Sequence, residues 1–276
     1  MQSAQFQLHA QIEEQHWWFV GRRRILRDVV REVLPPRSGR TIVDVGCGTG
    51  ANLASFADDY NCVGIDTSQE AISLAGQRFP NVRFIRGYAP RDLGETTAQT
   101  DLFLLTDVLE HVPDDRALLS ELVMAARPGA FCLLTVPADM SLWSQHDVSF
   151  GHYRRYDLDQ LSQIWAGLPV APLAISYFNA RLYPAVKAVR AWNRRLRKSA
   201  GEAGTDFRLP SRPVNAALEH IFAGESRTLI DLLHRRRGRG FRAGVSLLAV
   251  LRRETQPPAS IRNPQSPIPN PMPCPT

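Results

Sequence analysis

The 276-residue chain predicts an α/β fold, a largely parallel sheet with helices on both faces, and three observations carry that expectation. Short apolar runs alternate with helical segments between residues 41 and 136, the pattern of parallel strands joined by covering helices. The first run, Thr41-Ile42-Val43-Asp44-Val45, ends in the glycine-rich turn Gly46-Cys47-Gly48-Thr49-Gly50. The next run ends in Gly64-Ile65-Asp66, an acid about twenty residues on, as in a βαβ unit that binds an adenosine-containing cofactor.

The elements follow in order. Residues 5–35 read as one or two helices, broken near His16-Trp17-Trp18-Phe19. Strands are predicted at 41–45, 62–65, 82–86, 101–106 and 130–136, with helices at 51–58, 69–79 and 114–127. Residues 137–156 form a polar, aromatic connection, 158–167 a short helix and 170–177 a strand. Gly244-Val245-Ser246-Leu247-Leu248-Ala249-Val250-Leu251 has the composition of a last strand. The segment between, 179–238, reads as a helical insertion with a loose Gly/Ala/Glu stretch at 199–206. From Thr255 the tail holds eight prolines in twenty-two residues and is expected to be disordered.

Two cofactors compete for the glycine turn. Gly46-x-Gly48-x-x-Ala51 satisfies a dinucleotide fingerprint, in which a pyrophosphate anion sits on a helix N-terminus. Asp44-x-Gly46-x-Gly48-x-Gly50 instead resembles motif I of the class I S-adenosylmethionine-dependent methyltransferases. S-adenosylmethionine has no phosphate. It carries a sulfonium cation and an amino-acid tail, and a carboxylate at Asp44 suits the tail's ammonium group better than it suits a pyrophosphate.

Later segments extend the resemblance in the expected order. Thr100 to Val112, containing Thr106-Asp107-Val108-Leu109-Glu110-His111, resembles the family's fourth motif. Arg127-Pro128-Gly129-Ala130 resembles its turn before the fifth strand, with Ala130 in place of a second glycine. In Arg86-Gly87-Tyr88-Ala89, Tyr88 stands where many relatives have an acid for the adenine amino group. The resemblance implies a Rossmann-like seven-stranded sheet closed by an antiparallel hairpin, with the insertion before its last strand. It implies S-adenosylmethionine contacts at Asp44, Gly46, Cys47, Gly48 and Gly50 for the methionine end and at Asp66 with Thr67 for the ribose. Tyr88 and Ala89 flank the adenine, and Thr106, Asp107 and Val108 pack on the methionine. The division expected is a helical lid at 1–36, a cofactor domain at 37–178, the insertion at 179–238, the last strand at 239–253 and the tail at 254–276.

Two aromatic segments are similar to a bacterial subgroup of the family. His16-Trp17-Trp18-Phe19-x-x-Arg22-Arg23 can fold over the cofactor, bringing Trp17 and Arg22 to it and π-density to a sulfonium. Its rings equally suit anchoring the first helix to the sheet. Trp143 to Tyr156 concentrates two histidines, an acid and two arginines in a loop beyond the fifth strand. Methyl transfer is an in-line displacement that needs alignment and, at a hydroxyl acceptor, removal of a proton. His146 beside Asp147, or His152, can take that proton with a pKa near ~6.5. His111 is a further candidate. The same loop residues also fit a hydrogen-bond network that only shapes the loop, and Arg154 and Arg155 fit a grip on an anionic acceptor.

Charge and composition bound the partners. Lys187 to Arg253 holds sixteen Lys/Arg against five Asp/Glu, net +11 in a chain of net +6. Phe178, Leu182, Ala185, Val186, Val189, Trp192 and Leu196 recur at helical spacing among Arg181, Lys187, Arg190, Arg194, Arg195, Arg197 and Lys198. That basic amphipathic stretch, 178–198, suits a pocket-closing helix or peripheral contact with an anionic membrane. Arg235-Arg236-Arg237-Gly238-Arg239-Gly240-Phe241-Arg242 reads as a solvated connection, and nucleic acid is not the expected partner. The fourth strand also lacks the Asn/Asp-Pro-Pro-aromatic motif of amino-methylating nucleic-acid enzymes. No apolar run approaches the ~20 residues of a bilayer span, and the glutamine-rich N-terminus does not read as a signal peptide. The expectation is a cytoplasmic protein, peripheral to the inner membrane face at most. Cys47, Cys62, Cys132 and Cys274 show neither metal-ligand nor paired spacing, so no structural disulfide is expected. The reading that results is a methyltransferase acting on a small or lipid-like acceptor, with O-methylation expected. Its rivals are an NAD(P)-dependent oxidoreductase and a catalytically inactive S-adenosylmethionine-binding protein.

Overall fold

A computed structural model describes residues 3–37, 39–196 and 208–255. Its strands are β1 (Thr41–Val45), β2 (Asn61–Asp66), β3 (Arg83–Arg86), β4 (Leu102–Thr106), β5 (Phe131–Pro137), β6 (Val170–Phe178) and β7 (Ser246–Arg253). They form one seven-stranded sheet in the order β3-β2-β1-β4-β5-β7-β6. The pairs β1–β2, β1–β4, β2–β3 and β4–β5 are parallel, while β7 runs antiparallel to both β5 and β6. The last strand therefore slots inside the sheet and leaves β6 at its edge.

The helices are α1 (Ser3–Ile12), α2 (Trp17–Val33), α3 (Ala51–Ala54), α4 (Gln69–Arg78), α5 (Thr96–Gln99) and α6 (Asp115–Ala125). They continue with α7 (Gln145–Phe150), α8 (Leu158–Ile164), α9 (Tyr183–Leu196), α10 (Arg212–Ala223) and α11 (Ser226–Leu233). Helix α3 stops at Ala54, short of the expected 58, and the 137–156 connection contains α7. The basic amphipathic helix begins at Tyr183. Phe178 ends β6, paired with Ser246 and stacked on Phe222 with ring centroids 5.8 Å apart. Residues 199–206, Arg197, Lys198 and the proline-rich tail from 256 lie outside the described residues.

Central strands read as unbroken apolar runs because both faces of the sheet are buried. On β4, Phe103 and Leu105 join one core with α6 residues Leu119, Leu122 and Val123 and α8 residues Leu161 and Ile164. Leu102 and Leu104 join the opposite core with Ile25, Leu26, Val29 and Val30 of α2 and with Phe222 and Leu229. Residues 1–36 thus divide. Most of α2 is core, and only α1 and the start of α2 remain to border a site.

The insertion is equally structural in part. A Cβ added at Gly21 on α2 would sit 2.8 Å from Phe222 Cδ1 on α10, so the two helices meet through a glycine. Phe222 is fully buried. Phe222→Ala should destabilise the whole protein by about 3–5 kcal/mol. Trp192→Ala, at a 64 % exposed position on α9, should stay within about 0.5 kcal/mol. Equilibrium urea unfolding of both variants checks this; equal losses would mean that α10 is not part of the core.

Candidate active site

The turn after β1 is held by its neighbour strand. Gly46 N and Cys47 N donate to Ile65 O at 2.8 and 3.1 Å. Asp66, at the end of β2, accepts from Gly48 N at 3.0 Å and Ser68 N at 2.8 Å. Gly46 and Gly48 adopt φ of +70° and +53°, values that L side chains rarely adopt. A Cβ at Gly46 would also strike Val108 at 2.8 Å, whereas at Gly48 nothing lies within 4 Å. The backbone at Gly48 is open for a ligand to approach closely. Gly50 caps α3 in the left-handed region, and Cys47 is a buried thiol whose pKa burial drives upward.

Asp44 lies beneath this turn, wholly buried, and neither carboxylate oxygen has a hydrogen-bond partner among the described residues. Burial lifts its pKa to about 8, the nearby Arg22 charge pulls it partly back, and Asp66 adds to the rise. A buried carboxyl of this kind keeps its proton unless a cation comes beside it.

A cavity of about 420 Å³ opens above Gly46, Cys47 and Gly48, a volume within the range of small-ligand sites. Trp17, Trp18 and Phe19 line one side. His16 caps α2 through Nδ1, which accepts from Trp18 N at 3.3 Å, and Trp17 N donates to Asn215 Oδ1 at 2.9 Å. Arg22, itself buried, stacks over the Trp18 ring at 4.2 Å and forms an ion pair with the half-buried Asp107 just after β4. Asp107 holds φ of +59° and also accepts from Thr135 Oγ1 at 3.2 Å. Thr106 Oγ1 accepts from Asn52 Nδ2 at 3.2 Å. The aromatic segment therefore anchors α2 and walls the cavity at the same time.

The loop after β5 brings in the histidines. Ser144 and Asp147 form a capping box that starts α7. The buried Asp147 carboxylate takes Nδ1 of His152 at 2.9 Å, Nε and Nη2 of Arg155 at 2.8 and 3.1 Å, and Ser144 N at 2.9 Å. Burial alone would raise its pKa, but the His152 hydrogen bond and the Arg155 charge hold it well below the usual carboxylate range. Asp147 thus orients His152, where sequence adjacency had suggested His146. His146 packs on Phe150 at 4.4 Å, and burial followed by the Arg190 charge drives its pKa far below the expected ~6.5. Burial, aided by His152, lowers His111 to about 4.

His146, His152, Arg155, Thr106, Asp107, Trp17 and Arg22 all line the cavity. Asp44, Gly50, Asp66, Thr67, Tyr88, Ala89, Val108 and Asp147 do not. Thr67 is exposed and Tyr88 is 61 % exposed, its ring under the Arg91 guanidinium, so neither is folded into the wall. The two arginines expected to grip an anion are committed elsewhere. Arg155 is buried on Asp147 and Ala138 O, and Arg154 pairs with Asp115 at 2.7 Å.

Other lining residues come from the helically spaced apolar stripe after β6, and two more, Glu13 and Asn179, carried no sequence signal. Leu182, just before α9, and Ala185, Val186 and Val189 of α9 form an apolar wall. Glu13 reaches Thr49 Oγ1 at 2.7 Å and pairs with Arg78, strapping the chain after α1 over the glycine turn. Asn179 and Glu110 are buried with unpaired side-chain oxygens. Glu110 lay inside a recognised motif, but nothing in the sequence marked it as unpaired.

Fold and turn together define a Rossmann-like protein built for a nucleoside cofactor. A family model described as a methyltransferase domain matches residues 18–172. The chain belongs to the class I S-adenosylmethionine-dependent methyltransferases. A trans-aconitate 2-methyltransferase of Deinococcus radiodurans is 32% identical over 131 residues, covering 46% of this chain and 49% of that protein. Another, from an Azoarcus species, is 27% identical over 191 residues, covering 66% of this chain and 71% of its own. The chain thus spans about half the length of the first and somewhat over two thirds of the second. A crystal structure of the plantazolicin methyltransferase BamL, in complex with a triazolic desmethylPZN analog and SAH, covers 91% of this chain and 90% of its own. Its TM-score is 0.54 at 11% identity, a likeness of fold.

The site fits such a cofactor on its own geometry: open backbone at Gly48, an unpaired carboxyl beneath the turn, and tryptophan rings on the cavity wall. Asp44 also makes a pH prediction. Below about pH 4 its carboxyl is neutral both folded and unfolded. From there to about pH 8 only the unfolded chain sheds the proton, so this group's contribution to stability falls as pH rises. Asp44→Asn should therefore gain in Tm relative to the wild type between pH 5 and about pH 8. A flat difference across that range would show that Asp44 is not buried as described.

Proposed function

We propose that this chain transfers the methyl group of S-adenosylmethionine to an oxygen of a small or lipid-like acceptor bound beneath α9. The carrying observation is that one cavity joins the open glycine turn to the apolar wall of α9 and to the oriented His152. When bound, the cofactor supplies an electrophilic methyl on a sulfonium. Gly46, Cys47 and Gly48 would carry its methionine end, with Arg22 toward the carboxylate and Asp44 beneath the ammonium. Asp66 and Thr67 would meet the ribose, and the Trp17 and Trp18 rings would exclude water. Alignment of the acceptor at near-attack distance is then the main contribution to rate.

Asp147 and His152 are the dyad at which the acceptor hydroxyl is activated in this reading. Asp147 accepts at Nδ1, so the proton of neutral His152 sits there and the Nε2 lone pair is left for other work. His146, with its basicity suppressed by burial, shapes the pocket through Phe150.

Calorimetry with S-adenosylhomocysteine and with NAD⁺ separates this function from an oxidoreductase. Binding of the former, weakened at least tenfold in Arg22→Gln, is expected; binding of NAD⁺ alone would overturn the assignment. Labelled methyl groups should enter a bacterial lipid extract, and Asp66→Ala should abolish the transfer. His152→Ala should lower kcat at least 100-fold, and tight S-adenosylhomocysteine binding without transfer to any extract would favour a non-catalytic binding protein.

The outer half of α9 supports a membrane-facing role for the same reading. Val189, 56 % exposed, and Trp192 continue the cavity's apolar stripe onto the surface, beside the exposed Arg195. Lys187 and Arg190 are tied to Asp139 and Leu142 O, which leaves this stripe at the mouth. No helix among the described residues is long and apolar enough to cross a membrane, so the contact would be peripheral. Co-sedimentation with anionic phosphatidylglycerol vesicles should fall several-fold in Trp192→Ala and stay low on neutral vesicles. Unchanged sedimentation would remove the membrane from the proposal.

A further inference from the structure

We propose that Glu110, His111 and His152 form a binding site for one divalent first-row transition-metal ion, such as Zn²⁺ or Mn²⁺, at the acceptor end of the cavity. One ligand atom from each of the three lies within 4.8 Å of the others. Bonds of about 2.0–2.2 Å to a shared ion would place these atoms about 3–3.5 Å apart, so small side-chain rotations close the set.

Three features beyond proximity point to a cation. Glu110 is fully buried, and neither of its carboxylate oxygens has a hydrogen-bond partner among the described residues. Folding has placed a strong acceptor where only a positive ion or a proton can satisfy it. His152 gives Nδ1 to Asp147, and Asp147 is itself fixed by Arg155. A carboxylate on the far nitrogen of an imidazole is the support that metal-bound histidines ordinarily have, because it fixes the tautomer and aims the other lone pair. The His111 and His152 rings meet edge to face with centroids 4.6 Å apart, as two imidazoles converging on one point would.

The neighbouring Asp107 is not a ligand. Its two oxygens are engaged by Arg22 and Thr135. Two imidazoles and one carboxylate leave coordination positions open, and all three residues line the cavity. Imidazole nitrogens suit zinc or iron better than magnesium or calcium, and the Glu110 carboxylate admits manganese.

The inference deepens the proposed function by naming what activates the acceptor. An oxygen bound at an open position would lose its proton more readily beside the ion's charge. The proton passes to solvent, the oxygen forms its bond to the methyl carbon, and the carbon–sulfur bond breaks with its electron pair returning to sulfur. His152 then acts as a ligand, and Asp147 as a positioning residue for it.

The test needs no acceptor. Untagged full-length protein, stripped with chelator and dialysed, is titrated calorimetrically with Zn²⁺, Mn²⁺ and Mg²⁺, and its Co²⁺ adduct is read by visible absorption. We expect one equivalent of Zn²⁺ or Mn²⁺ and at least tenfold weaker Mg²⁺. Glu110→Gln and His152→Ala should each lose that binding and the Co²⁺ bands. Asp147→Asn should weaken binding 10- to 100-fold, whereas His234→Ala, at an exposed histidine paired with Glu32, should bind like the wild type. Absence of binding in the wild type overturns the site, as does unchanged binding in Glu110→Gln and His152→Ala. If circular dichroism shows either variant unfolded, His111→Gln and His152→Gln carry the comparison. S-adenosylhomocysteine is titrated into the same samples. Cofactor binding without metal binding defeats only the metal site; metal binding without cofactor binding defeats the methyltransferase reading instead.

Discussion

One buried guanidinium sets the charge balance of the cavity. Arg22 pairs with Asp107, lies over Trp18, and pulls down the proton affinity of both Asp44 and Glu110. Three acids therefore share one cation that α2 delivers to the open end of the sheet. A part-buried pair of this kind adds little net stability when formed, because desolvation offsets its attraction, but removing one partner strands the other charge. Its significance is positional. It fixes the N-terminal helix against the strand end from which the reaction is organised.

The same end of the molecule is assembled from distant stretches of chain. Trp17 meets Asn215, Gly21 meets Phe222, and Arg190 reaches Leu142 O. The insertion before β7 supplies both a core helix, α10, and a cavity wall, α9. Changes in the insertion can thus alter acceptor selection only where α9 faces the cavity. Those in α10 act on the core first.

Polarity is graded across the cavity. Leu182, Val186 and Val189 present hydrocarbon on one side, while Glu110, His111 and His152 gather on another. The acceptor proposed above, with an apolar body and one oxygen group, would set its oxygen at the histidines and its body along α9. Water exclusion by the apolar side would strengthen every electrostatic interaction at the other.

Much of this was legible in the residues. Strand alternation, the glycine turn and Asp66 announced the sheet and the cofactor end, because local periodicity and the demand for positive φ leave their marks in short segments. Tertiary structure alone decided that Asp147 serves His152, that Arg154 and Arg155 are internally paired, and that Tyr88 stays outside. It also left Glu110 unpaired beside two imidazoles. Burial and pairing are relations between segments that only folding brings together, and no spacing along the chain encodes which buried charge will find a partner.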